Sequence, residues 1–398
     1  MQTSTLIQLA ILGLLVATLP LSMVWMSADP NKYRKLVWVT VFFTFDLIVF
    51  GAFTRLTDSG LGCPDWPGCY GAANPFQAHA EISAAEAAMP TGPVTVVKAW
   101  IEMIHRYLAM GIGVLIVALM ATAWLQWRKA GGIGGHRIGG DGIVGDGMRR
   151  AQYHPGLPSA LFLFVCIQGA FGAWTVTMKL QPVIVTIHLL LGMGLLAMLV
   201  WLGMRQNAAG QVADSGATAA GAGSLGPLAL LSALLLLVQI ALGGWVSTNY
   251  ATLACTEFPM CGGRWVPQMD FEHGFTLWRE LGKTAAGHYL PFQALVAIHW
   301  VHRNMAFVVL AVLGWTAWRA LAHPGLRRAA RLILVVLGVQ MATGLATVYL
   351  NFPLAIAVLH NAGAAALVGL VAMLNYAIIH ANKSAPLQAR RATRPAYP

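Results

Sequence analysis

The chain has 398 residues, 58% of them hydrophobic and only 10% charged. Globular domains average about 25% charged residues, so a soluble globular protein is excluded and a polytopic membrane protein is expected. The formal net charge of +11 does not argue for nucleic acid. Its basic residues cluster in short loops between apolar runs, the pattern that sets membrane orientation, and the expected partner is the lipid bilayer.

A bilayer core about 30 Å thick needs roughly 20 helical residues to cross it. Nine runs are long enough: 5–26, 36–54, 99–127, 157–178, 182–204, 226–247, 291–318, 329–350 and 353–380. The first lacks a basic leading region and a small-x-small cleavage site, so it is read as a helix rather than a signal peptide. With the turn at 27–35 on the cytoplasmic side, seventeen of the 25 Lys and Arg residues fall inside. The C-terminus is then cytoplasmic, and the two long loops, 55–98 and 248–290, lie outside.

Residues 1–35 form an accessory helix and basic turn with no counterpart later in the chain, expected to stand clear of every motif. Two four-helix units follow, 36–206 and 226–380, joined by a Gly/Ala/Ser-rich linker at 207–225 that reads as flexible, with a cytoplasmic tail at 381–398. Gly51 precedes Cys63 by twelve residues, as Gly243 precedes Cys255, and Cys69 and Cys261 each follow six later. Gln168-x3-Gly172 leads to His188 as Gln340-x3-Gly344 leads to His360, and IHR at 104–106 is echoed by VHR at 301–303. Both units enter their first helix from the inside, so the expected fold is all-α: two pseudo-symmetric four-helix bundles in a parallel repeat, plus one N-terminal helix. The Gly-rich inner loop 128–156 follows a membrane helix and has no Gly-Lys-Ser/Thr, which argues for a surface connection rather than a phosphate cradle.

Ionisable side chains inside membrane spans are costly and mark candidate sites. A lone intramembrane histidine is commonly only a hydrogen-bonded packing residue. Here two recur per unit in matching positions, His105 with His188 and His302 with His360. Two neutral imidazoles from facing helices, with no cysteine or carboxylate to complete a tetrahedral set, suit the axial positions of a heme iron better than zinc. Covalent attachment is excluded because no Cys-x-x-Cys-His is present. The reading is two bis-histidine heme sites, one per half, near the outer surface.

Glu102 breaks the symmetry, since His299 stands at its place in the second half. It is either a partner for Arg106 four residues along the helix or an acid/base group one turn from the iron. His299 competes with His302 as the second-half ligand, and the VHR register favours His302. Arg106 and Arg303 either meet heme propionates or extend to the interface. Cys63–Cys69 and Cys255–Cys261 lie outside, where disulfides are expected, as staples of the loops or as redox-active pairs. Cys166 reads as a small buried apolar residue.

The ordered set GAFTRLTDSGLGCPDWPGC, EMIHR, QGAFGAWTVTMKLQPVIVTIH, HWVHR and QMATGLATVYLNFPLAIAVLH resembles the heme A synthase family of bacterial cytochrome oxidase assembly across residues 36–380. The resemblance implies an inner-membrane oxidoreductase that converts the C8 methyl of heme O to a formyl through two hydroxylations and loss of water. It implies that His105 and His188 hold the substrate heme O, that His302 and His360 hold a heme b cofactor, and that Glu102 is catalytic. The chain departs from the family pattern in its ninth helix and in the spacing of Cys63 and Cys69. Partners then include an unidentified electron acceptor, with a heme O synthase and a second copy of the chain as further candidates. The competing readings are a two-heme b-type electron-transfer cytochrome and a non-enzymatic heme carrier.

Overall fold

The computed structural model describes residues 3–131, 149–210 and 222–392. The Gly-rich segment at 132–148, most of the linker and the last tail residues lie outside the described residues. All named elements are helical: α1 (Thr3–Met26), α2 (Lys32–Leu56), α3 (His79–Ala88), α4 (Val96–Lys129), α5 (Gly156–Thr177), α6 (Pro182–Gly210), α7 (Gly226–Thr248), α8 (Phe271–Phe275), α9 (Phe292–Ala320), α10 (Arg327–Tyr349) and α11 (Leu354–Ala392). Among the described residues nine helices are long and apolar enough to cross a membrane, in the nine places the hydropathy predicts. The chain is an all-α, multi-pass membrane protein.

The helices outrun the apolar runs where polar caps extend them. Asn31 accepts from the Arg34 amide and starts α2 four residues before the predicted edge, and Thr95 accepts from the Lys98 amide at the head of α4. Such side chains satisfy amides that the helix leaves unpaired. The short helices α3 and α8 sit in the two cysteine-bearing loops and carry no hydropathy signal.

Helix α2 packs on α4 and α6, and α5 on α4 and α6, closing a ring of four; α7, α9, α10 and α11 close a second ring with the same pairings. The rings meet through α2, α6, α7 and α11. Helix α6 serves both cores: Met193, Leu196 and Val200 join the cluster of the second ring, and Leu195, Leu199 and Leu202 that of the first.

The repeat also appears in the backbone. Lys179 and Leu180 adopt positive φ between α5 and α6, as Asn351 and Phe352 do between α10 and α11. The left-handed region costs a non-glycine residue roughly 1–2 kcal/mol, and both tight turns carry it twice. Asp58 and Tyr250 also match, with φ of 51° and 54°. At this cysteine-loop end the equivalent positions touch one another. Arg55 Nη2 donates to the Ser247 carbonyl at 2.6 Å, and the Tyr250 hydroxyl donates to Asp58 Oδ1 at 2.7 Å. Arg55 lies over the Tyr250 ring, 4.2 Å from its centroid.

Two expectations need correction. Helix α1 does not stand clear of the motifs: a Cβ at Gly13 would lie 3.0 Å from Met110 Cβ on α4, the close approach that small residues allow between membrane helices. Leu9 is buried in a cluster with Cys63 and Cys69, and Thr5 Oγ1 donates to the Gly71 carbonyl at 3.0 Å. The accessory helix therefore braces the first cysteine loop. Cys166, in turn, is exposed on α5. In a membrane helix an apolar residue facing lipid is as well placed as one facing the core, so its hydrophobicity did not imply burial.

Candidate functional site

Four glycines seat four histidines. A Cβ at Gly51 on α2 would lie 2.9 Å from Cε1 of His105 on α4, and one at Gly172 on α5 would lie 3.2 Å from Cε1 of His188 on α6. In the second ring the same edge of His302 on α9 meets Gly243 on α7 at 3.0 Å, and that of His360 on α11 meets Gly344 on α10 at 3.3 Å. Each imidazole thus lies edge-on against a neighbouring helix backbone, in space only glycine leaves open. Within each ring the two histidines are in electrostatic range of each other.

In the second ring His302 and His360 line one cavity of about 210 Å³, together with His299 and Arg303. The cavity also reaches Leu56, Leu189 and Met193 of the first half. Gln239 Nε2 lies 3.2 Å from His302 Nδ1, and Thr343 Oγ1 lies 2.9 Å from His360 Nδ1. The Thr343 contact leaves Nε2 of His360 as the nitrogen able to bind a ligand, whereas Gln239 presents its NH2 group to His302 Nδ1. Arg303 Nη1 is buried without a partner, which fits a carboxylate-bearing guest. In the first ring Nδ1 of both His105 and His188 is buried without a hydrogen-bond partner. The ring of Phe50 is stacked near that of His105, with centroids 6.3 Å apart and planes at 15°.

Glu102 is 4% exposed on α4. Its Oε2 accepts from the Cys63 amide at 2.8 Å, and its Oε1 accepts from Arg106 Nη2 at 2.5 Å. Arg106 Nη1 donates to the carbonyls of Asp65, Pro67 and Gly68 at 3.0, 3.3 and 2.6 Å. The pair that carries the asymmetry therefore clamps the first cysteine loop over the turn that bears His105. The equivalent group in the second half is looser. His299 Nδ1 accepts from the Cys255 amide at 3.3 Å, and Arg303 Nη2 donates to the Pro259 carbonyl at 3.4 Å.

Both cysteine pairs are disulfides, with Cα–Cα separations of 4.9 Å for Cys63–Cys69 and 5.0 Å for Cys255–Cys261. Inside each, an acidic residue holds the following turn. Asp65 accepts from the Tyr70 and Gly71 amides at 2.6 and 2.7 Å, and Glu257 accepts from the Gly263 amide at 2.9 Å. Gly71 and Gly263 both sit at positive φ, 74° and 72°, where a side chain would be strained.

The residues singled out from sequence fall into two clusters, one per ring, each with a histidine pair, a clamp residue, an arginine and a disulfide. The roles of Gln239 and Thr343 were not legible, because the first half carries Leu47 and Phe171 at the matching positions. Asp46, inside the second span, was also passed over. The signal there was plain: one carboxylate in an otherwise apolar run, exposed on α2.

A family model described as COX15-CtaA, cytochrome oxidase assembly protein, matches residues 34–372. A protein named heme A synthase from Shewanella oneidensis is 37% identical over 354 residues, which cover 88% of this chain and 98% of that one. Proteins of the same name from Erythrobacter litoralis and Chelativorans are each 28% identical, over 87% and 94% of this chain and 97% and 94% of theirs. The match spans both histidine clusters, and the chain belongs to the COX15-CtaA family of cytochrome oxidase assembly proteins.

Proposed function

We propose that this chain is a heme A synthase that oxidises the C8 methyl of heme O to a formyl group. The observation that carries the reading is the doubled histidine pair, each ring seated on a glycine, with a buried carboxylate beside only one pair. His105 and His188 hold the substrate heme O in a first domain, 36–206, and His302 and His360 hold heme b in a second, 226–380, the two related by an axis along the membrane normal. The second cavity supports heme b there: both imidazoles line it, Nε2 of His360 is free, and Arg303 offers an unpaired N–H to a propionate. His302 is preferred over His299 as the ligand because it is seated on Gly243 as His105 is on Gly51, whereas His299 occupies the place of Glu102 against the cysteine-loop amide.

Bound heme b supplies one-electron chemistry. The protein's own part is to orient the substrate methyl and keep water out. Glu102 holds negative charge, or moves a proton, one turn from His105. The cysteine loops and heme sites face the periplasm of a bacterial inner membrane, and the C-terminus is cytoplasmic. An outer electron acceptor, a heme O synthase and a second copy of the chain are the partners to look for.

The test is extraction of non-covalent heme from a host that makes heme O but no heme A. Heme A, or its hydroxymethyl precursor, is the expected product; heme b alone with heme O plentiful would favour an electron-transfer cytochrome. In the same host Glu102→Gln, which retains an acceptor oxygen for the Cys63 amide or Arg106 but not the charge, is expected to retain heme, with any loosening of the first loop read separately by amide exchange at residues 63–72. Its heme A output should fall by about 10²-fold or more, the usual contribution of a positioned acid/base. Full output from that variant would refute the catalytic role and point to a carrier.

A further inference from the structure

We infer that Gln239 and Thr343 are positioning residues that make the second histidine pair a retaining heme site, and that their absence makes the first pair an exchanging one. This rests on the reading of both pairs as heme ligands and adds to it the residues that set retention.

A histidine that binds iron through Nε2 carries its proton on Nδ1, and an acceptor for that proton orients the ring and raises its basicity. Thr343 has spent its own hydrogen on the Val339 carbonyl at 2.8 Å. At 2.9 Å from His360 Nδ1, its oxygen is therefore placed to receive the Nδ1 proton. The tautomer is fixed with Nε2 free.

Gln239 reaches His302 through its terminal amide, 3.2 Å from Nδ1 and 3.2 Å from the His302 carbonyl. Its Oε1 is buried without a partner. With the amide turned end for end, Oε1 would be the acceptor for a proton on Nδ1, in exchange for the bond to the His302 carbonyl. Both second-half histidines thus have a polar side chain at Nδ1, Thr343 already as an acceptor and Gln239 with an acceptor oxygen on the same amide.

The first half has neither. Leu47 and Phe171 stand four residues before Gly51 and one before Gly172, as Gln239 and Thr343 stand relative to Gly243 and Gly344. His105 Nδ1 and His188 Nδ1 are both buried without a side-chain partner. Gln168 itself donates to the His188 carbonyl at 3.1 Å, holding the helix rather than the ring. A product that must leave the protein is served by weakly committed ligands, and a resident cofactor by strongly committed ones.

The experiment uses the full chain in detergent with both hemes bound. Two quantities are read for each heme: its midpoint potential by redox titration, and its rate of transfer to excess apomyoglobin. Thr343→Val and Gln239→Leu are each expected to raise the potential of the second-half heme, because a less basic ligand favours the ferrous state. They should also speed its loss by about 10–100-fold, the range for disturbing a ligand's outer partner, and leave the first-half heme unchanged. Thr343→Ser should restore both quantities. Leu47→Gln should lower the potential of the first-half heme and slow its escape.

If either variant folds and moves neither quantity, the inference is wrong; faster loss without a shift in potential would mean ordinary packing damage and also overturns it. A wild-type protein lacking the low-spin spectrum of bis-imidazole heme would instead sink the ligand assignment itself. The two failures are separable.

Discussion

Arg106→Ala is expected to loosen the first cysteine loop far more than Arg303→Ala loosens the second. The Arg106 and Glu102 side chains are 10% and 5% exposed, and removing one partner of a buried ion pair costs about 3–5 kcal/mol because the other charge is left unpaired. Three loop carbonyls lose their donor as well. Among the described residues Arg303 has no carboxylate partner, and it meets the second loop through a 3.4 Å bond to the Pro259 carbonyl and over the Phe258 ring, 5.1 Å from its centroid. In the heme-free protein its removal deletes two weak contacts and leaves no protein carboxylate unpaired. Amide hydrogen exchange at residues 63–72 and 255–264 would measure the two effects side by side, with alkylation of the cysteines under mild reductant as a second readout. Equal loosening of both loops would show that the Glu102–Arg106 pair is not what holds the first.

The same pair shows how far the sequence carried and where it stopped. Hydropathy marked the nine long helices, and the repeat marked the histidine pairs and the cysteine pairs that are joined as disulfides, because both signals are properties of the chain read in line. The clamp was visible only as a choice between an ion pair and a catalytic group. The structure shows that Glu102 is partnered both by Arg106 and by the Cys63 amide 39 residues away, a contact no local pattern encodes. Gly51, Gly172, Gly243 and Gly344 could be counted as repeat markers, yet their role is to admit a ring from a different helix. Gln239 and Thr343 were missed for the opposite reason: the repeat drew attention to what the halves share, and these two residues matter where the halves differ. The contact of α1 with the first cysteine loop joins residues more than sixty apart, and nothing in a single apolar run could announce it.

Gly243→Leu is expected to empty the second site while the first remains filled, and Gly51→Leu to do the reverse. A bare Cβ at Gly243 would stand 3.0 Å from His302 Cε1, and one at Gly51 would stand 2.9 Å from His105 Cε1. The full leucine side chain cannot share that space, so the ring must turn and its Nε2 leaves the ligand position. The matched control is Gly314→Leu on α9, the helix that carries His302, where an added Cβ meets nothing within 4 Å. That change removes a mid-helix glycine and is worth up to about 1 kcal/mol in helix propensity, so it should be neutral or stabilising. Heme per chain, counted by pyridine hemochrome after purification, should fall by about half in each site variant and stay constant in the control. Loss of affinity at the emptied site should be at least the roughly 10–100-fold caused by milder disturbance of a ligand's surroundings. Under the proposed division of labour Gly243→Leu loses heme b, whereas Gly51→Leu retains heme b and loses heme O. Retention of both hemes in either variant would mean that the histidine seated on that glycine is not a ligand, and His299 would become the group to examine in the second half.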